Sequence, residues 1–468
     1  MANRLSSELV GNVVENFAGD KEMLHKLLYV NKRWSANAQR FIWRSSTIEA
    51  LSGIAPNDRQ WYANQIKILT ISSHIAVSEL TAYNNIALPN LKTLILQSLD
   101  AVHASLTNFF LPTLEHVHLL VDNPGILTDN FLLSLPQRCP NLRELTVGVT
   151  ERFEFDHSDI VNEALQGLLR AWPTLHSLIL EDAMGYVISW DTLWLLLLKQ
   201  GLNDLTDLRL SFHTFQHDAQ AHRLGVPGLS DFLFGLQTCG QLRHVKTFSL
   251  SCTSGIAVEL PRVFPELEDL RLRIVDSSTH FLAQLPALTK LEELHLSFPA
   301  GIYLDLTHLA PLHGLRALKI LMIANLGEGG LMHLGPATDV EQSIFFSGFP
   351  NLEGITMAVS GTVGTTALIA LGQSSPNLRL ISLPGDYDFR WLQHLANPLL
   401  PNVRYLFVRK IHGTWQPISE VADLAPLIAK HIPNATLGCY PVTADPATRF
   451  LCGVYGTPER RHRLLQHA

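Results

Sequence analysis

The chain has 468 residues, of which 47% are hydrophobic and 16% charged, a composition typical of a folded globular protein and not of a disordered one. Its formal net charge of −7 argues against nucleic acid as the default partner. Residues 1–20 lack the apolar segment of a signal peptide. The longest apolar run, 193–198, is far shorter than the roughly 20 residues that a membrane helix needs. We therefore expect a protein of the cytoplasm, the nucleus or both, with no membrane partner.

The cysteines are odd in number and widely spaced, without a Cys-x-x-Cys pair: Cys139, Cys239, Cys252, Cys439 and Cys452. This pattern fits a reducing compartment better than a disulfide framework. Cys139 and Cys239 stand just ahead of leucine-containing segments, where a small apolar side chain packs, so we expect both thiols to be buried and inert.

The first 45 residues predict three short amphipathic helices, with a break at Gly19-Asp20. Ser6 or Ser7 can cap the first helix, and Glu8 lies in its first turn, where the helix dipole favours a carboxylate. Apolar residues recur at helical spacing: Leu9, Val13 and Phe17 in the first helix, Leu24, Leu27 and Leu28 in the second, and Trp34, Ala38 and Phe41 in the third. So small a bundle holds too little core to be stable alone. We expect it to pack against another chain or against the rest of its own.

The order of residues in this region resembles an F-box. The resemblance rests on Leu5-x-x-Glu8-Leu9, Val13-Val14, Val30-x-Lys32-Arg33-Trp34 and Ile42-Trp43-Arg44. The family usually has Pro after the first Leu. Ser6 stands there and can cap the helix instead.

This resemblance implies a helical bundle that docks on the Skp adaptor of cullin-based ubiquitin ligases. The adaptor contacts that it implies are Leu5, Leu9, Val13, Leu24, Leu27, Val30, Trp34 and Trp43. Two alternatives stay open. The helices can be a cap on the downstream domain, and Trp34 and Trp43 can belong to the core of the bundle instead of a docking surface.

Beyond the helices a short sequence motif recurs, Leu-x-x-Leu-x-Leu or a close variant, often preceded by Pro. We call each copy a phrase. Its copies are residues 66–71, 91–96, 114–119, 142–147, 175–180, 205–210, 245–250, 267–272, 291–296, 315–320, 352–357, 378–383 and 403–408. The last two leucines share one face of a short strand. The Pro helps to end the preceding helix. One strand and one helix cannot bury both apolar faces alone, so neighbouring units must stack.

The phrases start 22 to 40 residues apart, mostly in or near the 20–29 range of leucine-rich repeats. They resemble degenerate leucine-rich repeats of the kind that follow F-boxes in many fungal and animal proteins. The Asn or Cys that the family usually places three positions after the last Leu is missing, so the turns must satisfy their backbone groups otherwise. We expect an α/β fold: a three-helix F-box-like bundle at 1–50, a leucine-rich-repeat solenoid with a curved parallel sheet and outer helices at 51–408, and a C-terminal cap with a basic tail at 409–468.

Two long spacings, 213–240 and 322–348, are rich in Gly, His and polar residues. Each is either a loop on the binding face or a decayed repeat. Residues 421–432 have helical spacing, which fits a closing cap, and the basic run 459–463 fits a solvated tail.

Nothing in the sequence matches a catalytic or phosphate-binding motif. His213 and His217 have the spacing of metal ligands on a helix, but their polar neighbours indicate a solvated loop. The glycine-rich stretches 327–330 and 361–364 indicate turns. We expect no metal, no cofactor and no catalytic residues.

We therefore predict a non-catalytic substrate-recognition subunit of an SCF-type cullin ubiquitin ligase. It would bind the Skp adaptor and the cullin core through the F-box and a protein target, which the sequence does not name, through the repeats. The alternatives are a leucine-rich-repeat scaffold without a ligase and an enzyme whose site shows no known motif.

Overall fold

The structure is a computed structural model. It describes residues 6–72, 80, 82–83, 85–99, 104–122, 129–149, 175–182, 205–210, 244–299, 303–325, 333–334, 337–357, 363–383, 386–408, 410–411 and 418–439. The chain forms two compact units, which comprise Met1–His213 with Gln220–Gly228, and Thr214–Ala219 with Leu229–Ala468.

The first unit begins with three helices, α1 (Ser7–Glu15), α2 (Lys21–Leu27) and α3 (Lys32–Arg44). Each starts at a polar side chain that accepts hydrogen bonds from the free backbone N–H groups of the first turn. Ser6 accepts from Leu9 N, Asp20 from Met23 N, and Asn31 from the N–H groups that open α3. The predicted cap at Ser6 is thereby confirmed, as is the break at Asp20.

The core of this bundle consists of buried residues from all three helices: Val10, Val14, Leu24, Leu27 and Ala38. Phe17, Trp34 and Phe41 pack against it. Leu9 and Val13, on the apolar face that the sequence analysis identified, are 53% and 38% exposed and do not form the centre of this core. Val10 and Val14, one residue further along, take the inward position.

The sheet of the first unit starts where α3 ends. Its described strands are β1 (Ser45–Thr47), β2 (Ile68–Ser72), β3 (Thr93–Leu99), β4 (His116–Val121), β5 (Glu144–Val149), β6 (Ser177–Asp182) and β7 (Asp207–Leu210). Each pairs with the next in parallel. The described helical connections are α4 (Ile48–Ser52), α5 (Arg59–Ala63), the 3-10 helix Ala104–Phe109 and α6 (Asp129–Arg138).

The second unit has the same construction. Its main strands are β8 (Thr247–Cys252), β9 (Asp269–Ile274), β10 (Glu293–Phe298), β12 (Ile320–Asn325), β14 (Gly354–Met357), β15 (Leu380–Ser382), β17 (Tyr405–Val408) and β19 (Thr436–Cys439), paired in parallel in this order. Two-residue strands form two further parallel pairs, β11 (Tyr303–Leu304) with β13 (His333–Leu334), and β16 (Asp386–Tyr387) with β18 (Lys410–Ile411).

Helices and 3-10 helices connect the strands of the second unit. The α-helices are α7 (Ser254–Ala257), α8 (Leu260–Val263), α9 (Leu306–Leu309), α10 (Asp339–Ser347), α11 (Thr365–Ser374) and α12 (Ile418–His431). The 3-10 helices are His280–Ala283, Leu285–Ala287, Ala310–Gly314 and Arg390–His394. In the part of the chain that is described, no helix is both long and apolar enough to cross a bilayer.

The predicted leucine-rich-repeat fold is confirmed, since nearly every phrase enters a parallel strand at its third residue. β9 shows the reason: Leu270, Leu272 and Ile274 are buried, while Asp269, Arg271 and Arg273 lie on the other face. One phrase was predicted in the wrong register. The strand that we placed at 315–320 starts at Ile320, so the phrase is 318–323.

The predictions for the C-terminal segment and for the two long spacings can be compared with the described residues only in part. The helix expected at 421–432 is present as α12, but β19 after it was missed, although the Pro433-Asn434 lead-in is visible in the sequence. The stretch 322–348 holds most of β12, the two-residue strand β13 and α10, and β12 pairs directly with β14. The stretch 213–240 and the basic run 459–463 lie outside the described residues.

The Asn or Cys that leucine-rich repeats usually have after the last Leu is missing here. Asparagines just before the repeat phrases connect the turns of neighbouring repeats instead. Each side-chain amide donates to the carbonyl oxygen of the equivalent turn one repeat earlier, at 2.7 to 2.9 Å. The donors are Asn90, Asn141, Asn351, Asn402 and Asn434. Turn carbonyls thus gain partners from the next repeat, at an exposed edge of the repeats.

Candidate protein-interaction surfaces

The helical bundle leaves large apolar side chains exposed on α1 and in the turn between α2 and α3. Leu9, Val13 and Val30 are 53%, 38% and 49% exposed, and Tyr29 is 88% exposed. Tyr29 was missed by the sequence analysis, although an aromatic residue beside Val30 was a usable signal. Exposed apolar groups of this size on a small, internally packed bundle are typical of a partner-binding surface.

The other residues predicted to contact an adaptor have different positions. Leu24 and Leu27 lie in the core of the bundle, so a partner cannot reach them without opening it. Trp34 packs against that core, and its indole Nε1 is buried with no hydrogen-bond partner among the described residues. Trp43 contacts the ring of Tyr62 in α5, with 4.7 Å between centroids. Leu5 lies outside the described residues.

A polar cleft of about 470 Å³ separates the bundle from the first repeats. Glu8 and Glu15 line it from α1, Arg40 and Arg44 from α3, and Lys67 from the first repeat. The cleft carries charges of both signs, so it does not select a strongly acidic or strongly basic ligand.

The sheet face of the first unit carries two histidines that share one carboxylate. His116 Nδ1 lies 3.1 Å from Glu144 Oε2, and His118 Nε2 lies 3.3 Å from Glu144 Oε1. The hydrogen bond from His118 lowers the pKa of the Glu144 carboxyl below its ordinary value. Burial opposes this effect, and the interactions with His116 add to it. This carboxylate is therefore charged at neutral pH.

The sheet face of the second unit has a cluster of Asp269, Arg271, Glu293 and His295. The Arg271 guanidinium contacts Asp269 at 3.0 Å and Glu293 at 3.8 Å. Burial and the nearby Arg271 lower the pKa of His295. Although Asp269, Glu293 and His295 could offer ligand atoms to a metal, Arg271 already supplies the positive charge that the two carboxylates require.

Next to this cluster the sheet face is uncharged and partly apolar. Ile320 on β12, Leu380 on β15 and Tyr405 on β17 lie in one row, with Gly354 of β14 between the first two. The next row holds Met322, Thr356, Ser382 and Phe407. Tyr405 is 49% exposed. A sheet face with charged, apolar and aromatic parts suits recognition of a protein segment.

The remaining sequence predictions can be placed in part. Cys139 is buried, as predicted, and burial raises the pKa of its thiol to about 12. Gly364 is the N-cap of α11 and not part of a nucleotide loop. His213, His217, Cys239 and residues 327–330 lie outside the described residues.

No protein-family model matches the sequence, and no curated protein matches it either. Among solved structures, the chain is similar to one from the yeast Rad7 and Elc1 complex, with 17% identity, 94% of each chain covered and a TM-score of 0.40. It is also similar to one from the mouse RP105/MD-1 complex, with 13% identity, 83% of this chain and 65% of that chain covered, and a TM-score of 0.39.

A third similar structure is the TLR13-ssRNA13 complex, with 16% identity and a TM-score of 0.35. The match covers 76% of this chain and only 54% of that chain, so this chain spans about half of its length. Sequence identities and TM-scores at this level assign neither a partner nor an activity to the protein.

Proposed function

We propose that the protein is the substrate-recognition subunit of an SCF-type cullin ubiquitin ligase. The observation that carries this proposal is the N-terminal bundle. Its core is closed by Val10, Val14 and Leu24, yet Leu9 and Val13 remain exposed. A cap that served only the repeats would have no reason to keep these side chains in solvent.

In this function the bundle docks on the Skp adaptor, which links the chain to the cullin core. Leu9, Val13, Val30 and the newly identified Tyr29 form the contact surface, while Leu24 and Leu27 support it from inside. The F-box-like order of residues in the sequence supports the choice of adaptor.

The repeats would hold a protein target on their sheet faces. The chain would catalyse nothing itself and would need no cofactor. Its contribution is proximity, since holding the target beside the charged ubiquitin-carrying enzyme replaces a bimolecular encounter with a local one. Such a subunit works in the cytoplasm or the nucleus.

The test is co-purification of the full chain with a Skp adaptor, compared with a Leu9→Asp variant. A carboxylate placed in an apolar interface must be desolvated without a partner, so we expect binding to fall by about tenfold or more, on the order of 1.4 kcal/mol. The bundle should stay folded because Leu9 points to solvent.

Val340→Asp is the matched control, because Val340 is 64% exposed on α10 and belongs to another part of the chain. It should bind the adaptor as the unchanged chain does. If the unchanged chain fails to bind, the protein is a repeat scaffold whose N-terminal helices act as a cap. The bundle would then serve to cover the first repeat, to which it is joined by the direct connection of α3 to β1 and by the contact of Trp43 with Tyr62.

A further inference from the structure

A glycine lies within the partly apolar sheet face of the second unit. Gly354, on β14, pairs with Ile320 of β12 on one side and with Leu380 of β15 on the other. Glycine weakens a strand, because it has no side chain to pack and loses much conformational freedom on folding. In a sheet it marks a bulge, a backbone conformation that other residues avoid, or a place where another group approaches closely.

Neither a bulge nor an unusual backbone accounts for this glycine. The pairing of β14 with β12 runs without a shift of register from Gly354 to Met357, and its pairing with β15 is equally regular. The backbone of Gly354 does not adopt the left-handed conformation that favours glycine. The explanation that remains is the close approach of another group to this position of the sheet face.

The missing side chain leaves a slot that is one carbon chain wide. A β-carbon built on Gly354 would lie 3.8 Å from Ile320 Cγ1 and 3.8 Å from Leu380 Cβ, and these are the nearest atoms apart from those of its chain neighbours. Carbon atoms attract each other best at about this separation. An aliphatic group that enters the slot from solvent therefore contacts both flanking side chains without displacing either.

An exposed cation lies two strands from the slot, at the residue that precedes β17. Among the described residues, none forms an ion pair or a hydrogen bond with the side chain of this residue, Arg404. Arg379, which precedes β15, makes only a long contact, with 3.8 Å between its Nε and Glu353 Oε2. These three residues together carry one positive charge in excess, so this edge of the slot favours a carboxylate.

We propose that the slot and Arg404 bind a segment of the target protein that carries an aliphatic or methionine side chain near an acidic one. This inference rests on the proposed function and specifies which targets the repeats recognise. The apolar side chain enters over Gly354, the half-exposed ring of Tyr405 packs against the residues that follow, and the acidic side chain pairs with Arg404. Neighbouring strands are about 4.8 Å apart, so the slot and the residue before β17 are separated by roughly 10 Å, or about three residues of an extended chain.

The experiment begins with selection of a random peptide library on the full chain, without an adaptor. Peptides that also bind a Gly354→Val chain are removed. We expect the enriched peptides to share an aliphatic or methionine residue roughly two to four positions from an Asp or Glu.

A labelled peptide with the enriched sequence is then titrated against each variant by fluorescence anisotropy. Gly354→Val fills the slot, so we expect binding to weaken by about tenfold or more, because the aliphatic side chain of the peptide is no longer buried. Arg404→Glu replaces an attraction by a repulsion and should weaken binding by about threefold or more. Gly354→Ala, which fills only the base of the slot, should have an effect between that of Gly354→Val and none.

Ser249→Val is the matched control, because Ser249 of β8 lies on the same sheet face, four strands from the slot. It should bind the peptide as the unchanged chain does. Folding is checked by melting temperature. A β-carbon on Gly354 meets only ordinary contacts, and valine favours a strand, so Gly354→Val should melt at the same temperature as the unchanged chain or higher. Loss of binding in such a chain cannot be ascribed to unfolding.

Co-purification with the adaptor, on the same preparations, separates this inference from the proposed function. Gly354→Val should retain the adaptor. A chain that binds the adaptor but selects no peptides of this pattern overturns the inference and leaves the proposed function standing, as does a peptide that binds Gly354→Val and Arg404→Glu as tightly as the unchanged chain. A chain that selects these peptides but binds no adaptor keeps the slot as a binding site and loses the ligase.

Discussion

Leu9 and Val10 are neighbours in α1, yet Leu9 is half exposed and Val10 is fully buried. An α-helix turns by about 100° per residue, so a shift of one position moves a side chain from the partner-facing side to the core. The series 9, 13, 17 and 10, 14, 17 both have helical spacing. The residue pattern therefore shows that α1 is amphipathic, and packing against α2 and α3 decides which series is inside.

Burial also controls the reactivity of two individual thiols, those of Cys139 and Cys252. Burial raises the pKa of Cys139 to about 12, against the opposing effect of Arg138, and also raises the pKa of Cys252. Because the thiolate is the reactive form, we expect both cysteines to resist alkylation by iodoacetamide at pH 8 in the native protein. Site-resolved mass spectrometry measures the labelling. In guanidinium chloride both should react fully, whereas rapid labelling of the native chain would contradict the burial.

Polar side chains join α10 and α11, the helices of two neighbouring repeats. Asp339, the first residue of α10, accepts from the backbone N–H groups of Thr366 (3.0 Å) and Ala367 (2.9 Å) at the start of α11. A β-carbon on Gly364 would lie 1.8 Å from Asp339 Oδ1, so only glycine leaves room for this carboxylate. One residue thus begins its own helix and caps the next.

Burial acts to raise the pKa of Asp339, but the hydrogen bonds from Thr366 and Ala367 outweigh it and lower that pKa. The stabilisation is therefore fully present above the unfolded pKa, near 4, and is lost as the pH falls through the lower folded pKa. We expect Asp339→Ala to cost roughly 1–3 kcal/mol at pH 7 and much less at pH 2. Urea unfolding at both pH values measures the difference.

Gly364→Ala is the matched variant for this prediction. Its methyl group would displace Asp339 by sterics and not by charge, so its loss of stability should persist at both pH values. An Asp339→Ala cost that is the same at pH 2 and pH 7 would show that the carboxylate charge does not stabilise the helix pair.

For the molecule as a whole, the ends of the parallel sheets have to be closed. β19 pairs with β17, α12 buries Leu424 and Ile428, and the residue that follows the helix, Ile432, is also buried. Ending the chain after Ile411 removes both elements and exposes the backbone edge of β17, a template for pairing between molecules. We expect this truncated chain to self-associate, as measured by size-exclusion chromatography with light scattering. A chain that ends at Cys439 retains both elements and is the control. Equal behaviour of the two chains would show that α12 and β19 do not protect the edge.

The leucine phrases alone were enough to predict the repeat fold and most strand positions, because alternation of buried and exposed residues is a local property of a strand. The exception is informative. In 315–323 both Leu315-x-x-Leu318-x-Ile320 and Leu318-x-x-Leu321-x-Ile323 fit the phrase. The hydrogen bond from Asn351 to Arg316, one repeat away, matches the second register.

Contacts between repeats were decided only by the tertiary structure. His116 and Glu144 are 28 residues apart, and whether they meet depends on the length of the turns and the register of β4 and β5. The same holds for the asparagine contacts between turns and for Asp339 at the start of α11. Local sequence determines which residues form a strand or a helix, since steric and periodic constraints act over a few residues. Lateral pairing depends on every connection in between, so the sheet-face clusters and the exposed side of α1 required the folded chain.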